Sequence, residues 1–136
     1  MAYRNNVASV IYGRPEKIDA FITLNQLVLS NPSFATLHNH IRRYETEDEL
    51  GGPVHILHLD VNNTTWDVFY NDTQSWMEAM RKAPEMGLEY EFIRVGEDPT
   101  DIQIDRSNDL LNYIFLRRPT IQIDFDDTNE VPTNIL

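Results

Sequence analysis

The sequence contains no cysteine and few basic residues, and both deficits narrow the range of possible functions. Without cysteine the chain can form no disulfide, no thiolate metal site and no cysteine nucleophile. Lys and Arg number 11 against 22 Asp and Glu, so the net charge is −11. Such a charge repels nucleic acid and attracts basic surfaces. We therefore expect no direct binding of nucleic acid.

Glycine and long apolar runs are also scarce. The five glycines form neither a GxGxxG nor a GxxxxGK phosphate-binding loop. No run approaches the roughly 18 apolar residues that a membrane helix needs, and polar residues interrupt the start of the chain, unlike a secretory signal peptide. These absences lead us to expect a soluble cytoplasmic protein without a cofactor or a membrane partner.

The residues that are present predict a folded domain. Hydrophobic residues make up 41% of the chain and aromatic residues 10%, enough for a core. We expect a single α+β domain over residues 1–125 and a flexible acidic tail over residues 126–136. Residues 33–53 have weak periodicity and end in Gly51-Gly52-Pro53, which predicts a loop or short-helix insertion.

Alternating strand and helix patterns define the expected order of elements. Residues 7–12 are rich in β-formers, and an amphipathic helix follows with Pro15 in its first turn. Residues 54–61 and 64–70 are two β-rich runs, and Asn62-Asn63 between them predicts a tight hairpin.

The second half of the chain predicts another helix and several strands. Trp76, Met80 and Ala83 recur at helical spacing and are expected to be buried. Strands are expected over residues 88–95, 101–105, 113–118 and 120–125. The order indicates a ferredoxin-like antiparallel sheet with two helices on one face and additional C-terminal strands.

Two segments carry a resemblance to a known family. The first is the Gly-x-x-Glu-x-Ile-x-x-Phe pattern that ends at Phe21, and the second runs from Trp66 to Gly96 through TQSWMEAM and LEYEFIRVGED. In these segments the chain resembles the YubB-type ferredoxin-like proteins of phages and plasmids. The resemblance implies a mobile-element origin, the cytoplasm of a bacterial host cell and the same sheet, and it transfers no catalytic residue.

The acidic residues concentrate in three strips, at residues 45–49, 97–105 and 124–130. On a strand, carboxylates at every second position form an anionic row with a spacing of about 6–7 Å. Such a row can imitate a phosphate backbone and occupy a basic groove on another protein. The residues expected to contact this partner, called the predicted row below, are Glu89, Glu91, Glu97, Asp98, Asp101 and Asp105.

The function expected from these features is that of a non-enzymatic acidic inhibitor. It would occupy the basic surface of a host defence protein or a nucleic-acid-handling protein, in the manner of a nucleic-acid mimic or an anti-CRISPR protein. An immunity protein or antitoxin that neutralises a toxin is the nearest alternative. An exposed edge strand at residues 120–125 also allows a homodimer formed by sheet extension.

Four histidines, at residues 38, 40, 55 and 58, support a different hypothesis. Three of them, His38, His40 and His58, together with Asp60 provide the imidazole and carboxylate ligands that a zinc-dependent hydrolase uses. Partly exposed histidines that border a loop explain the same pattern without a metal, and no catalytic residue is assigned.

Aromatic residues leave a last alternative open, a small nucleotide-binding or signal-binding protein. Trp66, Tyr70 and Tyr90 could roof a ligand pocket, although three core aromatics explain the same pattern. The basic pairs Arg42-Arg43 and Arg117-Arg118 could contact phosphates, but we expect them to pair with neighbouring acids because the net charge opposes phosphate binding.

Overall fold

The computed structural model describes residues 3–26, 41–64, 71–98, 100–108, 113–117 and 120–133. Over these ranges it is an α+β structure with a six-stranded antiparallel sheet, two α-helices and a separate two-stranded hairpin. None of the helices in these ranges has the length and apolar character needed to cross a membrane.

The helical elements are α1 (Pro15–Leu24), α2 (Asn71–Lys82) and a 3-10 helix (Ala83–Met86). The strands are β1 (Asn5–Gly13), β2 (Ile41–Glu47), β3 (Pro53–Thr64), β4 (Glu89–Gly96), β5 (Ile102–Arg106), β6 (Ile114–Arg117), β7 (Thr120–Ile123) and β8 (Asn129–Val131). The sheet order is β5-β4-β1-β3-β2-β8, and β6 pairs only with β7 among the described residues.

The sequence provides a physical reason for the start and end of α1 and for the end of the 3-10 helix that follows α2. Pro15 occupies the first turn of α1, where its missing N–H costs no helical hydrogen bond. Helix α1 ends at Leu24, and Asn25 caps it by donating its side-chain amide to the Phe21 carbonyl at 2.9 Å. After α2, Gly87 adopts the left-handed conformation (φ 80°) that stops the 3-10 helix.

The core has two parts, divided by the central strand β1. Val7 and Ile11 belong to a cluster that also contains α1 and α2 residues, with Trp76, Met80 and Ala83 fully buried as predicted. Ala8, Val10 and Tyr12 belong to a second cluster that includes residues of the β6–β7 hairpin. Because side chains alternate along a strand, β1 is buried on both faces.

Residues 41–47 form strand β2, so the prediction of a loop or short helix is wrong for this part of residues 33–53. Residues 33–40 lie outside the described residues. The strand pattern was obscured because Arg43 occupies an inward position that normally holds an apolar residue. Arg43 is buried there because it forms an ion pair with Asp19 at 2.7 Å and donates to His55 Nδ1 at 2.9 Å.

The predicted turn at Asn62-Asn63 is also wrong, since β3 continues through both residues to Thr64. Val7 pairs with Val61 and Asn5 pairs with Thr64, so two residues of β3 oppose a single residue of β1. A β-bulge of this kind accommodates the extra asparagine without reversing the chain. Residues 65–70, predicted as the second strand of the hairpin, lie outside the described residues.

The C-terminal segment is partly structured, contrary to the expectation of a flexible tail over residues 126–136. Residues 129–131 form β8 and pair with Arg43, Tyr44 and Glu45 of β2. The strand has only three residues and no alternation of apolar and polar side chains, so its sequence carries no strand signal. Its backbone partners on the edge of β2 determine its conformation.

The β6–β7 hairpin covers the sheet face that carries Ala8, Val10 and Tyr12, and a buried charge anchors it. Glu91 has no exposed surface. Its carboxylate accepts hydrogen bonds from Arg106 Nε at 3.2 Å and from the Tyr113 N–H at 2.7 Å. Arg106 also donates to the Ile114 carbonyl at 2.9 Å. Burial raises the pKa of Glu91, and the hydrogen bonds from Tyr113 and Arg106 oppose that rise.

Removal of the Glu91 carboxylate should destabilise the protein strongly. In Glu91→Ala, Arg106 loses its buried partner and the Tyr113 N–H loses its acceptor, which should lower the free energy of unfolding by about 3–5 kcal/mol. The matched control is Glu85→Ala, at an exposed position, which should change the free energy of unfolding by less than about 0.5 kcal/mol. Urea unfolding measures the stability of both variants, and equal midpoints would contradict the anchoring role of Glu91.

Candidate functional site: an acidic groove

The predicted row does not form a rank of free carboxylates. Glu91 is buried, so its predicted exposure is wrong. Asp101 pairs with Arg94 at 2.9 Å and accepts a hydrogen bond from the Tyr3 hydroxyl at 2.9 Å. These two partners hold the pKa of Asp101 at about 2. Its charge is thus largely compensated within the protein.

The remaining members of the predicted row also have internal partners. Asp105 accepts from Arg81 Nε at 3.1 Å and from the Tyr90 hydroxyl at 2.9 Å. Asp98 accepts from the Thr100 N–H and hydroxyl, which lowers its pKa, and Glu97 accepts from the Arg4 N–H at 2.7 Å. Glu89 accepts from the Ser107 hydroxyl. These contacts stabilise the turns and edges of the sheet.

Two of the three acidic strips instead meet in one groove of about 860 Å³ at an end of the sheet. Glu47, Asp48 and Glu49 line it from the connection between β2 and β3. Asp124, Asp126 and Asp127 line it from the turn that precedes β8, and Glu89 contributes from the start of β4. The groove is therefore bordered by carboxylates from three separate segments of the chain.

Backbone pairing brings these segments together. Because β8 pairs with β2, the turn that precedes β8 lies beside the end of β2. Thr46 donates its hydroxyl to the Asp127 carbonyl at 3.2 Å, and the Asp124 N–H donates to the Tyr113 carbonyl at 2.7 Å. Phe125 lies inward, with its ring 4.6 Å from that of Tyr44 and 5.0 Å from that of His58. Phe125 thus anchors a turn whose neighbouring aspartates are exposed.

The groove also has an apolar component. Tyr12, Val54 and Tyr113 line it, and the rings of the two tyrosines meet edge to face at a centroid distance of 5.0 Å. Burial raises the pKa of both tyrosines, with the Glu91 charge as the next cause, so both phenols are neutral at physiological pH. Leu50 lines the groove as well and is 96% exposed.

The negative charge of the groove is largely uncompensated. Arg14 is the one basic residue among the described residues that line it, and it is paired with Asp48 at 2.6 Å. Hydrogen bonds from the Gly52 N–H and from Arg14 lower the pKa of Asp48. Elsewhere in the described chain, no Lys or Arg lies within ion-pair distance of these carboxylates: Glu47, Glu49, Asp124, Asp126 and Asp127.

A second hollow of about 550 Å³ adjoins the groove and shares Thr46, Glu47, Asp48 and Asp127 with it. His55 lines this hollow, and its Nε2 lies 3.9 Å from the Glu45 carboxylate. Burial, and then the charge of Arg43, lower the pKa of His55. The imidazole is therefore mainly neutral at pH 7 and does not offset the acidic charge.

The structure does not assemble the four residues of the predicted metal site. His38 and His40 lie outside the described residues. His58 is buried under Phe125, and its Nε2 has no hydrogen-bond partner among the described atoms. Over the described ranges, no group of three or more His, Cys, Asp or Glu residues is placed to hold a metal ion.

The predicted aromatic pocket and the basic pairs are described only in part. Trp66 and Tyr70 lie outside the described residues, and Tyr90 is buried in the helix-side core cluster. Arg42 pairs with Glu130 at 3.5 Å and Arg43 pairs with Asp19, which confirms the expectation that these arginines contact acids. Arg118 lies outside the described residues, and the Arg117 side chain is not described.

Comparison with known proteins identifies no relative: no protein-family model, curated protein or solved structure matches the chain. The resemblance to YubB-type proteins therefore stays a prediction. Tyr12, Tyr113 and Leu50 are the groove residues that sequence reasoning missed. The acidic strips at residues 45–49 and 124–130 were visible in the sequence, but their proximity depends on the pairing of β2 with β8.

Protonation of His58 should destabilise the protein in acid. Burial lowers its pKa to about 4 in the folded state, against an ordinary value of 6.5. The unfolded chain therefore binds a proton first as the pH falls, and stability decreases between about pH 6.5 and pH 4. The decrease in the free energy of unfolding attributable to His58 should approach about 3 kcal/mol.

Urea unfolding across this pH range compares the wild type with His58→Leu, which cannot titrate. The variant should have a smaller loss of stability between pH 6.5 and pH 4, whatever its stability at pH 7. Identical pH dependence in the two proteins would show that His58 does not titrate as its burial requires.

Proposed function

We propose that this chain is a non-enzymatic acidic binding protein that occupies the basic surface of a partner protein which handles nucleic acid. The observation that carries the proposal is the concentration of uncompensated carboxylates from two distant sequence strips in one groove. As an inhibitor encoded by a phage or another mobile element, it would keep a host protein from its nucleic-acid substrate.

The charge distribution is suited to this role. Exposed carboxylates without a neighbouring Lys or Arg retain their interaction with an approaching cation, whereas Asp105, Asp101 and Glu91 of the predicted row are already paired with Arg81, Arg94 and Arg106. Clustered charge of one sign accelerates association with a surface of opposite sign, and salt weakens this effect. A basic surface that binds phosphates would be blocked by the same charges.

We infer a ferredoxin-like arrangement, supported by the strand order β4-β1-β3-β2 and by the positions of α1 between β1 and β2 and of α2 between β3 and β4. The helices would cover the sheet face that carries Val7 and Ile11, since residues of both helices belong to that core cluster. The YubB-type resemblance agrees with this arrangement.

The other functions considered from the sequence have less support. An immunity protein or antitoxin would use the same groove against a basic toxin. A nucleotide-binding protein would have to overcome the repulsion between this groove and phosphate groups. A metal-dependent hydrolase would need His38 and His40 to approach His58, which is buried beneath Phe125.

Charge reversal in the groove tests the proposal. The triple variant Glu47→Lys, Glu49→Lys, Asp126→Lys should lose capture of nucleic-acid-binding proteins from a nuclease-treated bacterial lysate. Its association with any captured protein should slow by about tenfold or more at low salt. Mass spectrometry identifies the captured proteins, and added DNA should compete for them.

A second triple variant provides the control with the same change in net charge. Glu16→Lys, Glu78→Lys and Glu85→Lys alter exposed acids on helices, outside the groove. This variant should retain most of the capture. Equal loss in the two variants, or capture that is insensitive to salt and to DNA, would refute the groove as the binding surface.

A further inference from the structure

The groove combines two kinds of surface that a purely ionic contact would not need. Its rim consists of carboxylates, whereas Tyr12, Val54 and Tyr113 provide apolar surface within it. Binding of a basic surface to a phosphate backbone is dominated by electrostatics. The apolar part of the groove therefore indicates a partner with apolar side chains close to its positive charges.

Leu50 extends this apolar surface to the rim. Asp48 accepts hydrogen bonds from the backbone N–H groups of Leu50 at 3.0 Å and Gly52 at 2.8 Å. Gly51 takes the left-handed conformation (φ 79°), which a tight connection of this kind requires. These contacts stabilise the loop, which presents a large apolar side chain that is 96% exposed.

The lining of the groove favours an extended occupant. Carboxylates and apolar side chains lie side by side in a hollow of about 860 Å³. An extended segment can enter it and place alternate side chains on the apolar surface and toward the carboxylates. Arginine suits the charged positions, because its planar group pairs with carboxylates and stacks on tyrosine rings.

We infer that the groove binds an extended segment of the partner protein in which arginine residues alternate with large apolar residues. The guanidinium groups would pair with Glu47, Glu49 and Asp126, and the apolar side chains would contact Leu50 and Tyr113. This inference rests on the proposed function, and it adds the kind of segment that the groove recognises.

Three labelled peptides test the inference by fluorescence anisotropy with the wild-type protein. The first alternates arginine with leucine and phenylalanine, the second has serine in place of both apolar residues, and the third has glutamine in place of each arginine. The first peptide should bind at least tenfold more tightly than the second, and the third should bind most weakly. The second peptide has the charge of the first, so their difference measures the apolar contribution alone.

Two variants locate the apolar contact. Leu50→Ser should weaken binding of the first peptide severalfold and leave binding of the second unchanged. Leu24→Ser is the matched control, since Leu24 is 71% exposed on α1 and does not line the groove. Thermal unfolding should show that both variants are as stable as the wild type, because each residue is exposed.

The outcomes separate this inference from the proposed function. If the first two peptides bind equally and Leu50→Ser has no effect, the inference is overturned, while charge-driven binding and the proposed function stand. If neither basic peptide binds and the groove charge-reversal variant behaves as its control does, both are overturned.

Discussion

The carboxylate of Glu91 has no contact with solvent, and it joins the central sheet to the β6–β7 hairpin through Arg106 and the Tyr113 backbone. The hairpin covers the apolar face of β1 and leads into the turn that precedes β8. The acidic groove depends on that turn. The buried carboxylate of Glu91, which is costly to desolvate, therefore positions the hairpin and the turn after it, where the exposed aspartates lie.

The acidic residues divide into two groups with different physical roles. Those near β4 and β5 accept hydrogen bonds from arginines, hydroxyls and backbone N–H groups, and so contribute to the structure of the sheet edge. Those of the β2–β3 connection and the turn before β8 have no Lys or Arg within ion-pair distance in the described chain, apart from Asp48, and among them Asp124 accepts only the Asp126 N–H at 3.2 Å. The second group, unlike the first, is available to attract a positively charged partner from a distance.

Local sequence patterns predicted the elements whose conformation depends on residues close together in the chain. The first turn of α1 at Pro15 and the buried stripe of Trp76 and Met80 follow from spacing and backbone geometry alone. Strand β2 was missed because Arg43 is buried at an inward position, where its charge is compensated by a residue of α1. Glu91 was misassigned because alternation separates the two faces of a strand but does not reveal what covers each face.

The sequence by itself determined the net charge, the absence of thiol chemistry, the two amphipathic helices and the apolar character of the central strand. These properties depend on composition or on neighbours a few residues apart. Only the tertiary structure decided which acids are paired and which line the groove. That division depends on contacts between residues far apart in the chain, such as Thr46 with Asp127, and backbone pairing between β2 and β8 creates them.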